Sequence, residues 1–396
     1  MEEKENPCVT DGMLDIVSYD VLGKLPDPFR FDDGRRVAGQ ADWAARRREL
    51  YKTAVELQYG VMPPENEILE VEPLYINPRT HVYRIKAGPR AHPVSFRMKL
   101  LLPQNVENPP VIVDGDLCFN YAMDRAWLDA ALDNGIAWAL FDRTELACDI
   151  PDDTGRAKGP FFEAYGGLPC GAIAAWAWGY SRVVDALERL SLTDGGCIAF
   201  TGHSRGGKTC ALAGALDERA AVVNPNETCA GACSCYRTHL RARYGGGDKV
   251  LRSETLRDLW NTFGFWMGPL LGQYAECEET LPFDCHYLKA LIAPRTLFVS
   301  EAAGDVWSNP VGSWQTTMAA REVYSFLGAE DELFWYFRPG THCHAAEDVR
   351  MLVSLIKRRQ NGENLMAGRF FRLPFRTEGL PSVFDWRAPA QPRIDT

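Results

Sequence analysis

The stretch CIAFTGHSRGGKTCALAGALDER, from Cys197 to Arg219, matches two motifs that predict different chemistry. Gly202 to Gly206 read G-x-S-x-G, the sharp strand-to-helix turn that presents a serine nucleophile. Gly202 to Thr209 read G-x-x-x-x-G-K-T, the glycine-rich loop that holds the phosphates of a nucleotide. Both motifs follow an apolar strand and open a helix, so the choice between them depends on other features of the sequence.

The composition describes an acidic globular chain of 396 residues, 46% hydrophobic and 24% charged, with a formal net charge of −10. The negative charge argues against nucleic acid or an anionic membrane surface as a partner. A small-molecule or oligosaccharide substrate fits this charge better, and no pattern in the sequence indicates an oligomeric state. No apolar run approaches the roughly 20 residues that cross a bilayer.

The first twenty residues, MEEKENPCVTDGMLDIVSYD, are acidic and lack the basic and apolar regions of a secretion signal. As the sequence stands, we therefore expect a cytoplasmic protein. If a signal segment has been removed, a secreted or periplasmic protein is expected instead.

Twelve cysteines are too few in a chain of this length to predict a disulfide scaffold. Cys229, Cys233 and Cys235 with nearby His239 could suggest a metal, but C-x3-C-x-C is not a standard zinc spacing. We expect these cysteines to be buried thiols or to form a local disulfide, and we predict neither a metal nor another cofactor.

Strands and helices alternate after Pro110, which predicts a mainly parallel sheet flanked by helices in a three-layer α/β sandwich. A hairpin at residues 80–103 precedes this region. We interpret the chain as a single domain, 1–396, with an N-terminal arm at about 1–60, a cap-like insertion at about 231–280 and a C-terminal tail at about 360–396. Residues 1–40 are expected to be irregular. The predicted strands are 111–115, 136–142, 197–202, 220–224, 296–300 and 333–337, and the predicted helices are 42–58, 122–135, 171–190, 206–216 and 345–358.

The order of acidic and histidine residues favours the serine turn over the phosphate loop. A phosphate loop needs an acidic residue at the end of a second apolar strand, and the candidate strands end in Asn224 and Ser300. A serine hydrolase of the α/β-hydrolase fold instead needs serine, acid and histidine in that order. Ser204 fits, because Glu227 or Asp305 can follow as the acid and a histidine comes after both.

That histidine is His342, just past the last predicted strand, where it can accept the serine proton. His344 lies two residues further on and is a rival base, although we interpret it as structural. His203 precedes the nucleophile and is expected to pack or to form a hydrogen bond.

Four longer segments of the sequence are more specific than the serine turn alone: GAIAAWAWGYSR (171–182), GHSRGGK (202–208), LPFDCHYLKALIAPR (281–295) and GDVWSNP (304–310). These segments resemble the glucuronoyl esterases of carbohydrate esterase family 15, especially its bacterial branch. The resemblance covers most of the chain, from LPDPFRFDDG (25–34) to the helix after His342.

The resemblance implies metal-independent cleavage of the ester that joins 4-O-methylglucuronic acid on xylan to lignin alcohols. It implies an acyl-enzyme on Ser204, with His342 as the base and Arg205 stabilising the oxyanion through its N–H and guanidinium. Family members place the acid at either candidate position, and we favour Glu227, with Asp305 as a supporting or alternative acid. The residues implied to bind the sugar are Lys208, Trp307 and Glu254.

The chain also departs from the family pattern. VIVDGDLCFNYA (111–122) lacks the Gly/Asn-rich loop common after this strand, and Cys285 stands where a glutamine is common. The second oxyanion donor is therefore not assigned from the sequence. Two alternatives stay open, a carbohydrate acetyl esterase or other acyl esterase, and a non-catalytic carbohydrate-binding homologue.

Overall fold

Residues 14–362 and 369–390 are described by a computed structural model. Most of the strands follow the predicted alternation. The strands are β1 (Leu14–Val21), β2 (Ile68–Ile76), β3 (Thr80–Gly88), β4 (Val94–Leu101), β5 (Val111–Asp114), β6 (Ala137–Phe141), β7 (Ile198–His203), β8 (Ala220–Asn226), β9 (Thr238–Tyr244), β10 (Leu251–Arg252), β11 (Thr296–Ala302) and β12 (Leu333–Arg338).

The helices connect these strands across the two faces of the sheet. They are α1 (Gln40–Tyr51), α2 (Arg125–Leu132), α3 (Pro160–Ala164), α4 (Ala172–Leu190), α5 (Arg205–Leu216), α6 (Leu256–Phe263), α7 (Cys285–Ile292), α8 (Pro310–Phe326) and α9 (Ala346–Asn361). The predicted helix at 42–58 forms as α1, followed by one π-helical turn at Lys52–Leu57.

Nine strands form the main sheet in the order β12-β11-β8-β7-β5-β6-β4-β3-β2. The six strands from β12 to β6 are parallel, and β4, β3 and β2 extend the sheet in antiparallel fashion. Strands β5 to β8 and β11 are buried along their whole length. Such continuous apolar runs are what parallel strands need when helices cover both faces.

The two faces of the sheet are covered by separate helix layers. On one face α4, α5, α7 and α8 contribute to the larger apolar core, which includes Trp176 and Leu212. On the other face α2 packs against α9, and their side chains join a second core around Trp127 and Leu352. The predicted three-layer α/β-hydrolase sandwich is therefore confirmed.

A second, three-stranded sheet lies outside this sandwich and was not predicted. Strand β1 pairs antiparallel with β9, and β10 covers the other edge of β9. The expectation of an irregular segment at residues 1–40 is therefore wrong for Leu14–Val21. The local pattern could not reveal this strand, because its partner β9 lies far along the chain. Residues 1–13 lie outside the described ranges.

The described part of the C-terminal tail, 369–390, packs across the surface against the N-terminal region. Trp386 donates its indole N–H to the carbonyl of Leu25 at 2.9 Å, and its ring contacts Phe29. Residues 363–368 and 391–396 of the predicted tail lie outside the described ranges. The division into arm, cap and tail stays a prediction. Within the described ranges, no helix combines the length and the apolar character needed to cross a membrane.

Candidate active site

Ser204 occupies a strained turn between β7 and α5, with φ 57° and ψ −119°. Non-glycine residues rarely adopt a positive φ, and such strain is found mainly at functional sites. The two glycines of the motif make the turn possible. A Cβ on Gly202 would overlap the carbonyl oxygen of Gly206, and a Cβ on Gly206 would overlap the Asp116 carboxylate.

His342 meets both candidate acids at the carboxyl edge of the parallel sheet. Its Nδ1 lies 2.6 Å from Oδ2 of Asp305 and 3.2 Å from Oε2 of Glu227. Glu227 follows β8, Asp305 follows β11 and His342 follows β12. Because these strands are neighbours and parallel, the loops after them meet at one edge beside Ser204.

The two carboxylates have different second partners. Glu227 is fully buried and accepts hydrogen bonds from the Arg338 guanidinium at 2.5 Å and from the Cys343 N–H at 3.0 Å. Asp305 also accepts a hydrogen bond from the Ser308 hydroxyl. Glu227 therefore has an arginine counter-ion, whereas the cationic partner of Asp305 is His342 itself. The choice of the main acid stays a prediction.

The electrostatics of this cluster favour a protonated imidazole. Burial alone would lower the pKa of His342, but the hydrogen bonds and charges of Asp305 and Glu227 raise it to about 9. Burial raises the pKa of Glu227, while its hydrogen bond to His342 and the charge of Arg338 oppose this rise and favour the carboxylate form. For Asp305 burial acts upward, but its hydrogen bond to His342 and the imidazolium charge together hold the pKa below its ordinary value.

The other two histidines of the site are buried and neutral. His203 contacts the Asn226 amide oxygen through Nδ1 at 2.7 Å, and burial lowers its pKa to about 3. His344 packs against the Tyr121 and Trp127 rings, and burial places its pKa well below the ordinary value. These contacts agree with the packing and hydrogen-bonding roles expected for both residues.

Arg205 follows the nucleophile at the first position of α5. Backbone N–H groups at this position have no intrahelical partner and point towards the helix N-terminus. Its side chain reaches Asp149, with Nη1 2.8 Å from Oδ2, and its Nε is buried without a hydrogen-bond partner among the described residues. The backbone N–H and the guanidinium are donors that a negatively charged oxygen could use.

The loop after β5 usually supplies a second oxyanion donor in this fold. Here four of its N–H groups are engaged inside the protein. Gly115 donates to the Tyr180 hydroxyl, Asp116 to the Asp114 carboxylate, and Leu117 and Phe119 to backbone carbonyls. The departure of this loop from the family pattern therefore leaves the Arg205 side chain as a candidate for the second donor.

The residues expected to bind sugar lie on the neighbouring part of the site. Lys208 is buried, donates to the Thr228 carbonyl and lies 3.9 Å from the Glu254 carboxylate, so it is not on a solvated helix face. Burial raises the pKa of Glu254. Trp307 is 40% exposed, and its ring lies 5.0 Å from the Arg252 guanidinium carbon. Its exposure leaves the ring available for stacking.

Two groups of side chains have the ligand atoms that a metal ion could use. They are His203, Glu227 and His342, and Cys229, Asp305 and His342, each with its atoms within 4.8 Å of one another. Both groups contain the base and an acid of the predicted triad. Of the cysteines near His239, Cys229, Cys233 and Cys235 are buried free thiols, and the described residues contain no disulfide at these positions.

Several residues that support the site were not found from the sequence. Asp116 accepts hydrogen bonds from the His203 N–H and the Tyr121 hydroxyl and pairs with the fully buried Arg143. Asp149 binds Arg205, and Trp266, in the segment predicted to form a cap, donates to Asp149. No spacing rule connects these residues, since apart from the Asp116–Tyr121 bond each contact joins different loops of the fold.

Comparison with known proteins gives the same family as the motifs. The family model described as "Glucuronyl esterase, fungi" matches residues 85–328. A 4-O-methyl-glucuronoyl methylesterase from Podospora anserina is 30% identical over 82% of this chain and 65% of its own length. A 4-O-methyl-glucuronoyl methylesterase 1 from Wolfiporia cocos is 29% identical over 81% of this chain and 76% of its own length.

Among solved structures, the chain resembles a carbohydrate esterase family 15 glucuronoyl esterase from Caldicellulosiruptor kristjansonii. The TM-score is 0.78 at 28% identity, over 93% of this chain and 97% of the other. The Podospora relative is longer, since the chain spans 65% of its length. These similarities confirm the resemblance that the motifs indicated.

Proposed function

Because this chain belongs to the glucuronoyl esterase family, we propose that it is a serine carboxylic-ester hydrolase that cleaves esters of (4-O-methyl)glucuronic acid. The observation that carries this proposal is the placement of His342, bound to two carboxylates, at the sheet edge where the strained Ser204 is presented. A binding protein would gain nothing from this combination of strain and paired charges.

In the proposed reaction, the hydroxyl of Ser204 loses its proton to Nε2 of His342 as it attacks the ester carbonyl. Nδ1 is already engaged by Asp305 and Glu227, so these carboxylates fix the ring and stabilise the imidazolium that forms. In contrast to the preference for Glu227 from the sequence, the shorter contact favours Asp305 as the acid that orients the ring. Glu227, shared with Arg338, then acts as the supporting carboxylate.

The tetrahedral intermediate carries a negative oxygen that needs donors already in place. We assign this role to the backbone N–H and the guanidinium of Arg205, because a fixed cation stabilises charge that develops in the transition state. Collapse of the intermediate passes the proton from His342 to the leaving alcohol. Water then repeats the same steps on the acyl-enzyme and releases the uronic acid.

The substrate side of the proposal rests on Lys208, Glu254 and Trp307. A buried ammonium and a buried carboxylate side by side can donate to and accept from sugar hydroxyls. The half-exposed Trp307 ring offers a flat apolar surface to one face of the sugar. An oligosaccharide ester is therefore the proposed substrate.

The test compares the wild-type protein with Ser204→Ala on a benzyl ester of glucuronic acid and on an acetylated xylan oligosaccharide. We expect turnover of the uronate ester, and its loss in Ser204→Ala by a factor of about 10⁴ or more. Ser95→Ala, on the exposed face of β4, is the matched control and should keep wild-type activity. Full activity of Ser204→Ala would exclude the proposed nucleophile, and acetate release alone would move the substrate to an acetyl ester.

A further inference from the structure

One carboxylate links the nucleophile helix to the cap-like insertion. Asp149 lies in the loop after β6, and its Oδ2 accepts a hydrogen bond from Nη1 of Arg205 at 2.8 Å. Its Oδ1 accepts a hydrogen bond from the indole N–H of Trp266, also at 2.8 Å. The two oxygens of a single side chain therefore serve two donors from different parts of the chain.

The Arg205 guanidinium is held from its face as well as from its edge. Its central carbon lies 4.6 Å from the centre of the Trp266 ring, within the range of a cation–π interaction. Trp266 in turn stacks on Phe263 with 3.9 Å between ring centres and 3° between planes. Asp149 thus fixes both the arginine and the aromatic surface on which it rests.

This arrangement holds the Arg205 guanidinium in one orientation before a substrate binds. Nη1 is bound to Asp149, whereas the buried Nε has no partner among the described residues. Ordering a long arginine side chain costs conformational entropy, and a donor that is ordered before the substrate arrives avoids that cost during the reaction. The carboxylate therefore prepares the guanidinium for an oxygen that becomes negative only in the transition state.

We propose that Asp149 is a positioning residue for ester hydrolysis, which acts by holding the Arg205 guanidinium against Trp266. This inference rests on the proposed function, and in particular on the oxyanion role of Arg205. Asparagine cannot replace the carboxylate, because its one carbonyl oxygen can accept from Arg205 or from Trp266 while its amide nitrogen faces the other donor.

The first experiment measures kcat and KM of Asp149→Asn on the benzyl ester of glucuronic acid. We expect kcat to fall about 10- to 100-fold and KM to stay within about twofold, because the affected interaction forms in the transition state. Glu72→Gln, at the exposed ion pair with Arg84 on β2 and β3, is the matched control and should leave kcat unchanged. An unchanged kcat in Asp149→Asn, with a normal Tm, would overturn the proposal.

The second experiment separates positioning from a purely structural role. We expect Asp149→Asn to reduce kcat by less than about twofold when it is introduced into Arg205→Ala, since no guanidinium is left to position. If the reductions in kcat of the two single variants multiply fully in the double variant, the proposal is overturned.

The choice of substrate is tested separately from this comparison of the single and double variants, which forms a double-mutant cycle. If the wild-type protein releases acetate but does not cleave the uronate ester, the proposed function fails. The same cycle on the acetyl ester then still decides the role of Asp149, because the oxyanion forms in both reactions.

Discussion

Among the single residues of the site, His342 is the proposed base, and its neighbours change its chemistry. Two carboxylates approach the same ring nitrogen, and they outweigh burial to raise the pKa of His342 to about 9. The same contacts keep the pKa of Asp305 low. The base is therefore strong, but a large fraction of it is protonated at neutral pH in the free enzyme.

The pH dependence of kcat/KM tests this assignment. His342 accepts a proton only in its neutral form, so kcat/KM should rise with pH and level off above about 9. Asp305→Asn removes a charge that stabilises the imidazolium. The rising limb should therefore move to lower pH by about one unit or more, with a lower plateau.

Glu227→Gln should move the same limb in the same direction by a smaller amount, because its contact with His342 is longer. If kcat/KM of the wild-type protein rises at a pH near the ordinary histidine pKa, this assignment is contradicted. The assignment is also contradicted if the rise of kcat/KM stays at the same pH in both Asp305→Asn and Glu227→Gln.

Among the helices and strands, the turn between β7 and α5 depends on contacts with the loop after β5. Asp116 of that loop accepts the His203 N–H and lies directly against Gly206. The nucleophile is thus supported from a neighbouring strand as well as by its own helix. The glycine of the motif at position 206 is required by this close approach as much as by the turn itself.

Gly206→Ala should therefore disturb the turn that carries Ser204. The new methyl group would overlap the buried Asp116 carboxylate, and we expect the free energy of unfolding to fall by about 1–3 kcal/mol. Denaturant unfolding and kcat measured together check this result, since the shift of Asp116 should also lower kcat. In Gly195→Ala the added Cβ meets no atom within 4 Å, and this control should change stability by less than about 1 kcal/mol.

Across the molecule as a whole, the small sheet joins the beginning of the described chain to the active site. Strand β1 pairs with β9, and Tyr244 at the end of β9 accepts the Gly340 N–H through its hydroxyl at 2.7 Å. Gly340 lies two residues before His342. The N-terminal strand therefore supports the loop that carries the base, although it lies outside the main sheet.

Removal of β1 tests this connection. We compare a chain that begins at Leu14 with one that begins at Lys24, so that only the strand and its immediate end differ. Loss of the paired backbone and of the packed side chains of β1 should lower the free energy of unfolding by about 3 kcal/mol. Activity should also be lost at a lower temperature. Equal stability of the two chains would show that β1 does not support the fold.

Local patterns in the sequence were sufficient to predict the α/β-hydrolase sandwich and to select Ser204 and His342. These patterns are alternating apolar segments, two glycines around a serine, and polar residues just past strand ends. Strand β1 was missed because its partner β9 lies far along the chain. Helices α7 and α8 were also missed, since both are buried over most of their length and lack the polar stripe that marks an amphipathic helix.

The way in which the charged side chains combine depends on the tertiary structure. It brings both Asp305 and Glu227 to His342, gives Glu227 an arginine partner, and places Asp149 between Arg205 and Trp266. Each of these contacts joins segments that are distant in sequence, and all of them except the Trp266 contact lie where the parallel strands end. The sequence could name the candidate groups, but their distances and burial set the pKa values and determine which donors stay free.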